Sequence, residues 1–239
     1  MSALVAQGAQ AVEHQFNSEV EKTVFTGKCD PTPGAICDHF KVGGGNLVCA
    51  SYLYEGTGNA NVLDEVTLTP TYGSTTKPSG CKDEGSNAEV LVHTNHCAYK
   101  LDSDTVLTAG TTEEHAPVEI ECSGTEENEI TSTIPSIGVT LHIPAQNTIK
   151  DGVTYTNIGS GSTREITAHV TAKNIKGKCT GVNCFLIGLV NGGEFTNAEY
   201  TGTDTFAGFE DLGTEQTGTA KTTPILNEGA QVGVFLTTP

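Results

Sequence analysis

The stretch IGVTLHIPAQNTIKDGVTYTNIGSGSTREITAHVTAKNI, residues 137–175, decides the fold class. In its first part apolar and polar residues alternate, and the apolar ones are Ile137, Val139, Leu141 and Ile143. After a Gly/Ser turn at 159–162 the alternation returns, with Ile166, Ala168, Val170 and Ala172 in one phase. A period of two places each such set on one face of a β-strand. The stretch therefore predicts strands that pair with each other and bury one face against a second sheet.

These strands predict an all-β protein: a two-sheet antiparallel β-sandwich, Greek-key or jelly-roll-like, stapled by disulfides. We interpret residues 1–11 as a signal-peptide remnant, because the segment ends in the small-x-small sequence AQA. Residues 12–27 are expected to form an N-terminal arm and a first strand, and residues 28–239 the sandwich domain. The alternative is two smaller tandem sandwiches that meet near residues 131–136.

Composition and charge exclude some classes of function. Only 36% of the 239 residues are hydrophobic and Trp is absent, so we expect sheets with one solvated face. The formal net charge is −17, which leaves no surplus of Lys or Arg for binding nucleic acid. Arg164 is the only arginine, and a structural ion pair with the adjacent Glu165 is its expected role. No segment has the roughly 20 apolar residues of a transmembrane helix.

The cysteines indicate an oxidising compartment. There are eight of them, an even number without a CxxC pair: Cys29, Cys37, Cys49, Cys81, Cys97, Cys122, Cys179 and Cys184. Such a set favours a disulfide framework and a secreted, extracellular or cell-surface location. Close spacing favours local Cys29–Cys37 and Cys179–Cys184 bridges. The other four would then tie strands together, and Cys49–Cys81 with Cys97–Cys122 is one such arrangement among the formal connectivities.

Two further segments carry specific secondary-structure predictions. Residues 88–93 and 96–101 flank Thr94 and Asn95, which reads as a two-residue β-hairpin. The continuous apolar run CFLIGLV, residues 184–190, predicts a strand buried on both faces.

Few residues suggest site chemistry. His93 and His96, next to Cys97, are the nearest approach to a zinc or copper cluster, yet a polar hairpin end explains them better. His142 and His169 both lie in the polar phase of their strands and would meet only if those strands were neighbours in register. Asp64-Glu65 and Asp102-Ser103-Asp104 offer calcium-type oxygens without the 12-residue EF-hand pattern. No GxSxG motif occurs, so we predict no enzyme activity, no catalytic residue and no cofactor.

Most of the chain from Phe16 onward is made up of distinctive stretches, in this order: FNSEVEKTVFTG, GGGNLVCASYLYEGTG, VTLTPTYGS, HTNHCAYKL, VEIECSG, HIPAQNTIKDGVTYTNIGSGSTREITAHVTA, GEFTNAEYTGTDTF and VGVFL. In these stretches the chain resembles a group of secreted, Thr/Gly-rich, cysteine-bearing β proteins from soil actinobacteria of the Solirubrobacter type. The group often has a further cysteine where this chain has residues 138–140, and often lacks a close pair like Cys29/Cys37. The resemblance therefore implies export and a β fold, but transfers neither a cystine pattern nor a catalytic residue.

We expect a secreted or cell-surface structural or interaction protein that acts through the faces and edges of its sheets. Its expected partners are itself, as a homo-oligomer or filament, or cell-surface components. An exposed strand edge can accept a partner strand without special side chains. The alternative is a carbohydrate- or divalent-cation-binding module that uses Tyr52, Tyr54 and Tyr72 with the acidic loops. A hydrolase with a carboxylate pair is a third class.

Overall fold

A computed structural model describes residues 11–12, 14–28, 37–50, 52–72, 80–103, 105–107, 114–124, 128–214 and 226–237. Its strands, in chain order, are β1 Ala11–Val12, β2 Gln15–Ser18, β3 Thr23–Lys28, β4 Asp38–Val42, β5 Gly45–Cys49, β6 Tyr52–Gly58, β7 Val62–Leu63, β8 Glu65–Tyr72, β9 Cys81–Asp83, β10 Glu89–His93, β11 Cys97–Asp102, β12 Thr105–Leu107, β13 Glu114–Cys122, β14 Glu129–Ile134, β15 Val139–Pro144, β16 Gln146–Ile158, β17 Glu165–Thr180, β18 Glu194–Thr214, β19 Leu226–Val232 and β20 Val234–Thr237. Two 3-10 helices, Gly161–Thr163 and Cys184–Ile187, are the helical segments of this described part. Neither has the length or apolar content to cross a bilayer.

Most strands continue one another in pairs, and each such pair or single long strand is called a line here. The lines wrap into a closed sheet. Six lines consist of two pieces each (β3/β4, β5/β6, β8/β9, β10/β11, β13/β14 and β15/β16), while β17 and β18 are single long strands. Each line pairs antiparallel with the next line along the chain. The eighth line, β18, pairs back onto β3 and β4, so both edges of this eight-line sheet are joined.

The predicted all-β, antiparallel class is confirmed. Opposite walls of the closed sheet pack across a single hydrophobic core, as the layers of a sandwich do. The connectivity is a meander, with neighbours in sequence lying side by side, and is simpler than a Greek key. Two tandem sandwiches do not fit these pairings, because residues 131–136 lie within β14 and the β14–β15 turn, inside the same closed sheet.

The alternation of side chains gives the sheet an apolar interior and a polar exterior. Strands β8, β14 and β15 alternate buried residues with exposed or half-buried ones along their length. Leu68, Ile134 and Leu141 are among the largest fully buried side chains. The Thr-rich outer positions suit a solvated strand face, because the β-branched Thr side chain favours extended backbone. Local sequence therefore dictates which face of each strand packs inward.

A small second sheet closes one end of the structure. Strand β2 pairs with β20 on one side and with β7 on the other. Phe16 of β2 is buried and meets Tyr155 edge-to-face, with the ring centroids 5.4 Å apart. Residues near both termini therefore cover the same end of the core, and residues 12–27 belong largely to this cap and to β3.

The disulfides brace the closed sheet. Cys49–Cys81 and Cys97–Cys122 each link residues directly opposite on neighbouring strands, and Cys179–Cys184 spans five positions at the opposite end from the cap. These three predicted pairings are confirmed. Cys37 is also disulfide-bonded, whereas Cys29 lies outside the described residues.

The hairpin predicted around Thr94 and Asn95 is wrong. Strand β10 pairs with β9 and β14, whereas β11 pairs with β8 and β13, so the two pieces continue one line without folding back on each other. The interruption has left-handed backbone at Asn95 and His96, with φ of 44° and 64°. Here these two residues kink the line without reversing it. Two polar turn residues in a sequence do not distinguish a kink from a chain reversal.

Candidate functional site

The connection between β17 and β18 forms a braced loop at the end opposite the cap. Its residues 181–193 contain the 3-10 helix Cys184–Ile187, and the Cys179–Cys184 disulfide anchors that helix to β17. Main-chain bonds run from Gly192 N to Cys179 O, from Cys179 N to Gly193 O and from Gly44 N to Ile187 O. The Asn183 amide donates to Ile137 O at 2.7 Å. The loop is therefore fixed to three neighbouring segments of the sheet.

This loop exposes large apolar side chains to solvent. The exposed fractions are 78% for Val182, 66% for Phe185, 57% for Leu186 and 75% for Val190. Buried Cys184 and Ile187 hold the helix against the core. We call residues 181–193, with these four exposed side chains, the apolar tip. Contiguous exposed apolar side chains on a soluble surface mark interaction sites more often than isolated ones do.

The buried strand predicted for residues 184–190 is therefore wrong. Gly188 adopts left-handed backbone with φ of 73° and ends the 3-10 helix at Ile187. A glycine accepts this conformation without the cost that a side chain would add. The apolar run thus turns instead of extending, and only part of it reaches the core.

The apolar tip also lacks charge. No Asp, Glu, Lys, Arg or His occurs in residues 180–193, although the chain has 29 acidic and 12 basic residues. The tip is thus an uncharged apolar surface on a strongly acidic protein. Sequence reasoning missed it because an apolar run is the same string of letters whether it is buried or exposed.

A second group of polar side chains lies on the outer face of β14, β15 and β17. His142 Nδ1 is 2.5 Å from Glu129 Oε1, and His142 Nε2 is 2.8 Å from Thr180 Oγ1. These three side chains line a surface cleft of about 450 Å³ together with Lys176 and Lys178. The sequence placed His142 in the polar phase correctly but gave no indication of its two partners.

His142 and His169 do not meet. His142 of β15 is opposite Lys178 of β17. His169 lies on β17 nine positions before Lys178 and is opposite Thr203 of β18. His169 Nδ1 is 3.1 Å from Thr203 Oγ1 on the exposed sheet face. The two histidines therefore occupy separate hydroxyl-bonded environments.

The other predicted site residues are dispersed. His93 ends β10 and His96 lies in the kink that follows, both exposed, while Cys97 is bonded to Cys122. In the ranges that the structure describes, no group of three His, Cys, Asp or Glu side chains is placed to hold a metal ion.

The calcium-type candidates hold the fold together instead. Glu65 pairs with Lys100 at 2.6 Å, and Asp64 accepts a bond from Gln15 at 3.1 Å. The buried Ser103 Oγ lies 2.7 Å from both Asp64 O and His14 O, while Asp104 lies outside the described residues. The Gln15–Asp64 and Ser103–His14 contacts join the closed sheet to its cap, whereas the Glu65–Lys100 pair links β8 and β11 within the closed sheet.

Arg164 interacts with an aromatic ring. Its guanidinium carbon lies 4.5 Å from the centroid of the Phe235 ring, a cation–π contact with the cap strand β20. The neighbouring Val234 N donates to Arg164 O at 3.1 Å. The single arginine thus contacts the cap, in a way that adjacency to Glu165 in the sequence did not predict.

Two of the three tyrosines proposed as a glycan platform, Tyr54 and Tyr72, face inward. Tyr54 is buried and its hydroxyl is 3.0 Å from that of Tyr200, and Tyr72 packs against the core with its hydroxyl 3.1 Å from that of Tyr99. The Tyr52 side chain lies outside the described residues. Tyr54 and Tyr72 therefore offer no exposed ring for a sugar to stack on.

Tyr54, Tyr99 and Tyr200 line an interior cavity of about 60 Å³, whose other lining residues are apolar apart from Asp204. Asp204 and Asp38 are both 2% exposed. Sequence reasoning missed this buried acidic pair. The alternation in residues 200–206 could have located Asp204, since it shares the inward phase of Tyr200 and Phe206.

We expect stability to fall above about pH 10, the ordinary pKa of tyrosine. Burial raises the pKa of Tyr54 and Tyr72, and the nearby Asp38 carboxylate adds to the effect. Burial also raises the pKa of Tyr155 and Tyr99. The unfolded chain ionises first, so folding stability is intact below the unfolded pKa and is lost as the pH rises toward the folded pKa.

Tyrosinate absorbance and circular dichroism, recorded during an alkaline titration, test this expectation. The buried tyrosines should ionise only together with loss of the β signal. Full ionisation of all six tyrosines in a protein that keeps its β signal would contradict the buried placement.

Fold and tip together define a class of protein: a disulfide-braced, all-antiparallel closed β-sheet with an uncharged apolar end. No family model, curated protein or solved structure matches the chain.

Proposed function

We propose that the protein is a secreted or cell-surface structural protein that associates with further copies of itself through the apolar tip. The observation that carries this proposal is the exposure of Val182, Phe185, Leu186 and Val190 on one covalently braced loop. The oxidised cysteines support an extracellular setting, because disulfides persist there and not in a reducing cytosol.

Charge favours a second copy at the tip. Each chain carries a formal charge of −17, so most side-by-side contacts would oppose like charges. The tip is uncharged, and a two-fold contact of tip against tip directs the acidic walls of the two copies away from each other. Strand β17 has 16 residues, so the walls of the closed sheet extend about 50 Å from the tip. Most of each acidic wall therefore lies farther from the contact than a Debye length, which is about 8 Å at physiological salt.

The tip is already ordered before it binds. The disulfide and the main-chain bonds of residues 181–193 fix the loop, so association costs little loop entropy. Four apolar side chains per copy cover less surface than the roughly 1,200 Å² of a stable interface. We therefore expect weak, concentration-dependent association.

Sheet edges contribute less than the sequence led us to expect. Every line of the closed sheet has a paired neighbour on both sides, which removes the long free edges that a partner strand would need. The edges left in the described part belong to short strands such as β19 and β20. For this reason the proposal rests on the tip.

Sedimentation velocity of the intact, oxidised protein tests the proposal across concentrations from about 5 to about 500 µM, a range suited to weak contacts. Wild-type protein should shift from monomer toward dimer, and more so when added salt screens the repulsion between acidic walls. Leu186→Asp should abolish the shift, because it places a charge in the apolar contact.

The matched control is Leu212→Asp. Leu212 is also 57% exposed but lies on β18 away from the tip, so this variant should associate like the wild type. A wild type that stays monomeric throughout, or equal effects of the two variants, would refute tip-mediated association.

A further inference from the structure

We propose that Thr180 is a nucleophilic hydroxyl that accepts an acyl group from small activated esters, with His142 as its base and Glu129 orienting the imidazole. This goes beyond self-association and involves a different face of the molecule. It rests on the geometry of the Glu129, His142 and Thr180 side chains and on the cleft beside them.

The hydrogen bonds set the direction of proton flow. A Glu129 carboxylate can only accept, so the 2.5 Å contact assigns the proton to His142 Nδ1. In the neutral imidazole, His142 Nε2 then presents its lone pair and accepts from the Thr180 hydroxyl over 2.8 Å. The other acceptor described for this hydroxyl, Thr140 O, is 3.5 Å away. The order of carboxylate, imidazole and hydroxyl is that of nucleophilic triads on unrelated folds.

The backbone around Thr180 is held in place. The residue before it, Cys179, is linked to Cys184, and the residue after it, Gly181, donates its N–H to Asn191 Oδ1 at 3.0 Å. Threonine is β-branched and has few side-chain rotamers in a strand. The hydroxyl is thus fixed against the imidazole before any substrate arrives, as a pre-organised nucleophile requires.

The surroundings offer both access and charge. The cleft of about 450 Å³ that Thr180 and His142 line is in the size range of small-molecule sites. Lys176 and Lys178 line the same cleft, and an ammonium group can stabilise the oxyanion that forms when a carbonyl is attacked. Esters with a small acyl group are therefore the substrate class that suits this cleft.

The step balances without a further reactant. Thr180 Oγ1 forms a bond to the ester carbonyl carbon while its proton passes to His142 Nε2. The tetrahedral adduct then breaks the bond to the leaving alkoxide or phenolate, which takes the proton from His142. The product is an acyl ester of Thr180, with no change in oxidation state.

His169 and Thr203 provide an internal control. They form an exposed imidazole–hydroxyl pair on the same sheet face, 3.1 Å apart, and no carboxylate is among the contacts described for His169. If any surface threonine beside a histidine reacted, Thr203 would react as well. Selective reaction at Thr180 therefore reports on the complete trio of Glu129, His142 and Thr180.

The test treats the intact protein with p-nitrophenyl acetate and locates acetyl groups by intact mass and peptide mapping. We expect one O-acetyl group on Thr180 and none on Thr203. His142→Gln should slow acetylation of Thr180 by at least about 100-fold, the usual contribution of a general base, whereas His169→Gln should not change it. Thr180→Ala should remove this acetyl group and leave any background on lysines unchanged.

Circular dichroism of each variant confirms folding, and Thr180→Ser keeps the hydroxyl as a positive control that should also be acetylated. Absence of acetyl-Thr180 in the folded wild type would overturn the proposal. So would an equal acetylation rate in wild type and folded His142→Gln, because the trio would then be only a structural hydrogen-bond ladder.

Discussion

Replacing Leu141 with alanine should lower the free energy of unfolding by about 2–5 kcal/mol, the cost of a cavity in a packed core. Leu141 is 0% exposed on β15, opposite Ser132 of β14 and Cys179 of β17. Its neighbours are main-chain-paired strands of a closed sheet, so they cannot move in to fill the space. Denaturant titration followed by circular dichroism measures the change.

Leu186→Ala is the matched control for Leu141→Ala. Leu186 is 57% exposed at the apolar tip, so its truncation should change stability by less than about 0.5 kcal/mol. Both leucines occur in apolar segments that sequence reasoning assigned to the interior. Equal losses from the two variants would mean that the tip is packed and would contradict the fold described here.

Removing the Cys97–Cys122 disulfide, by changing both cysteines to alanine, should cost about 3–4 kcal/mol. The bridge closes a sequence separation of 25 residues, and a longer loop means a larger loss of entropy in the unfolded chain. The same change at Cys179 and Cys184, separated by 5 residues, should cost about 2 kcal/mol. Unfolding in denaturant without reductant measures both.

The two disulfide variants should also differ in function. Loss of Cys179–Cys184 frees the loop that carries Phe185 and Leu186, so it should weaken self-association, whereas loss of Cys97–Cys122 should not. Sedimentation at a concentration where the wild type dimerises makes the comparison. The reverse order, or a greater stability loss at the five-residue bridge, would contradict this account.

The strands of residues 137–175 could be predicted because alternation is a local property. Ile143 and Val170 show their phase in the sequence, and the structure buries both. Closure of the sheet could not be predicted, since it depends on pairing β18 with β3, about 180 positions apart. Periodicity contains no information about which strand lies next to which.

The apolar tip shows where sequence patterns mislead. A Cys179–Cys184 bridge was predicted, and a bridge across five positions already implies a tight loop at Cys184. By hydrophobicity alone, the apolar run from Cys184 to Val190 nevertheless favours a buried strand. When a disulfide constraint and a hydrophobic pattern conflict, the disulfide determines the path of the backbone. Hydrophobicity then determines only which side chains favour burial.

The trio around His142 could not be predicted from the sequence for a different reason. Glu129, His142 and Thr180 lie on three strands, and they converge because Thr131 is opposite His142 and Thr140 is opposite Thr180. A register shift of one residue on any of the three strands would turn these side chains to the other face. Only the three-dimensional pairing brings them together.

The cap has a consequence for how the molecule is handled and anchored. Gln15 and Thr237 are opposite each other on β2 and β20, in the cap and at the other end of the closed sheet from the apolar tip. A tether attached beside Gln15 or Thr237 would leave the apolar tip at the free end of the molecule. A pulling force applied at Gln15 and Thr237 themselves would separate β2 from β20 one residue pair at a time.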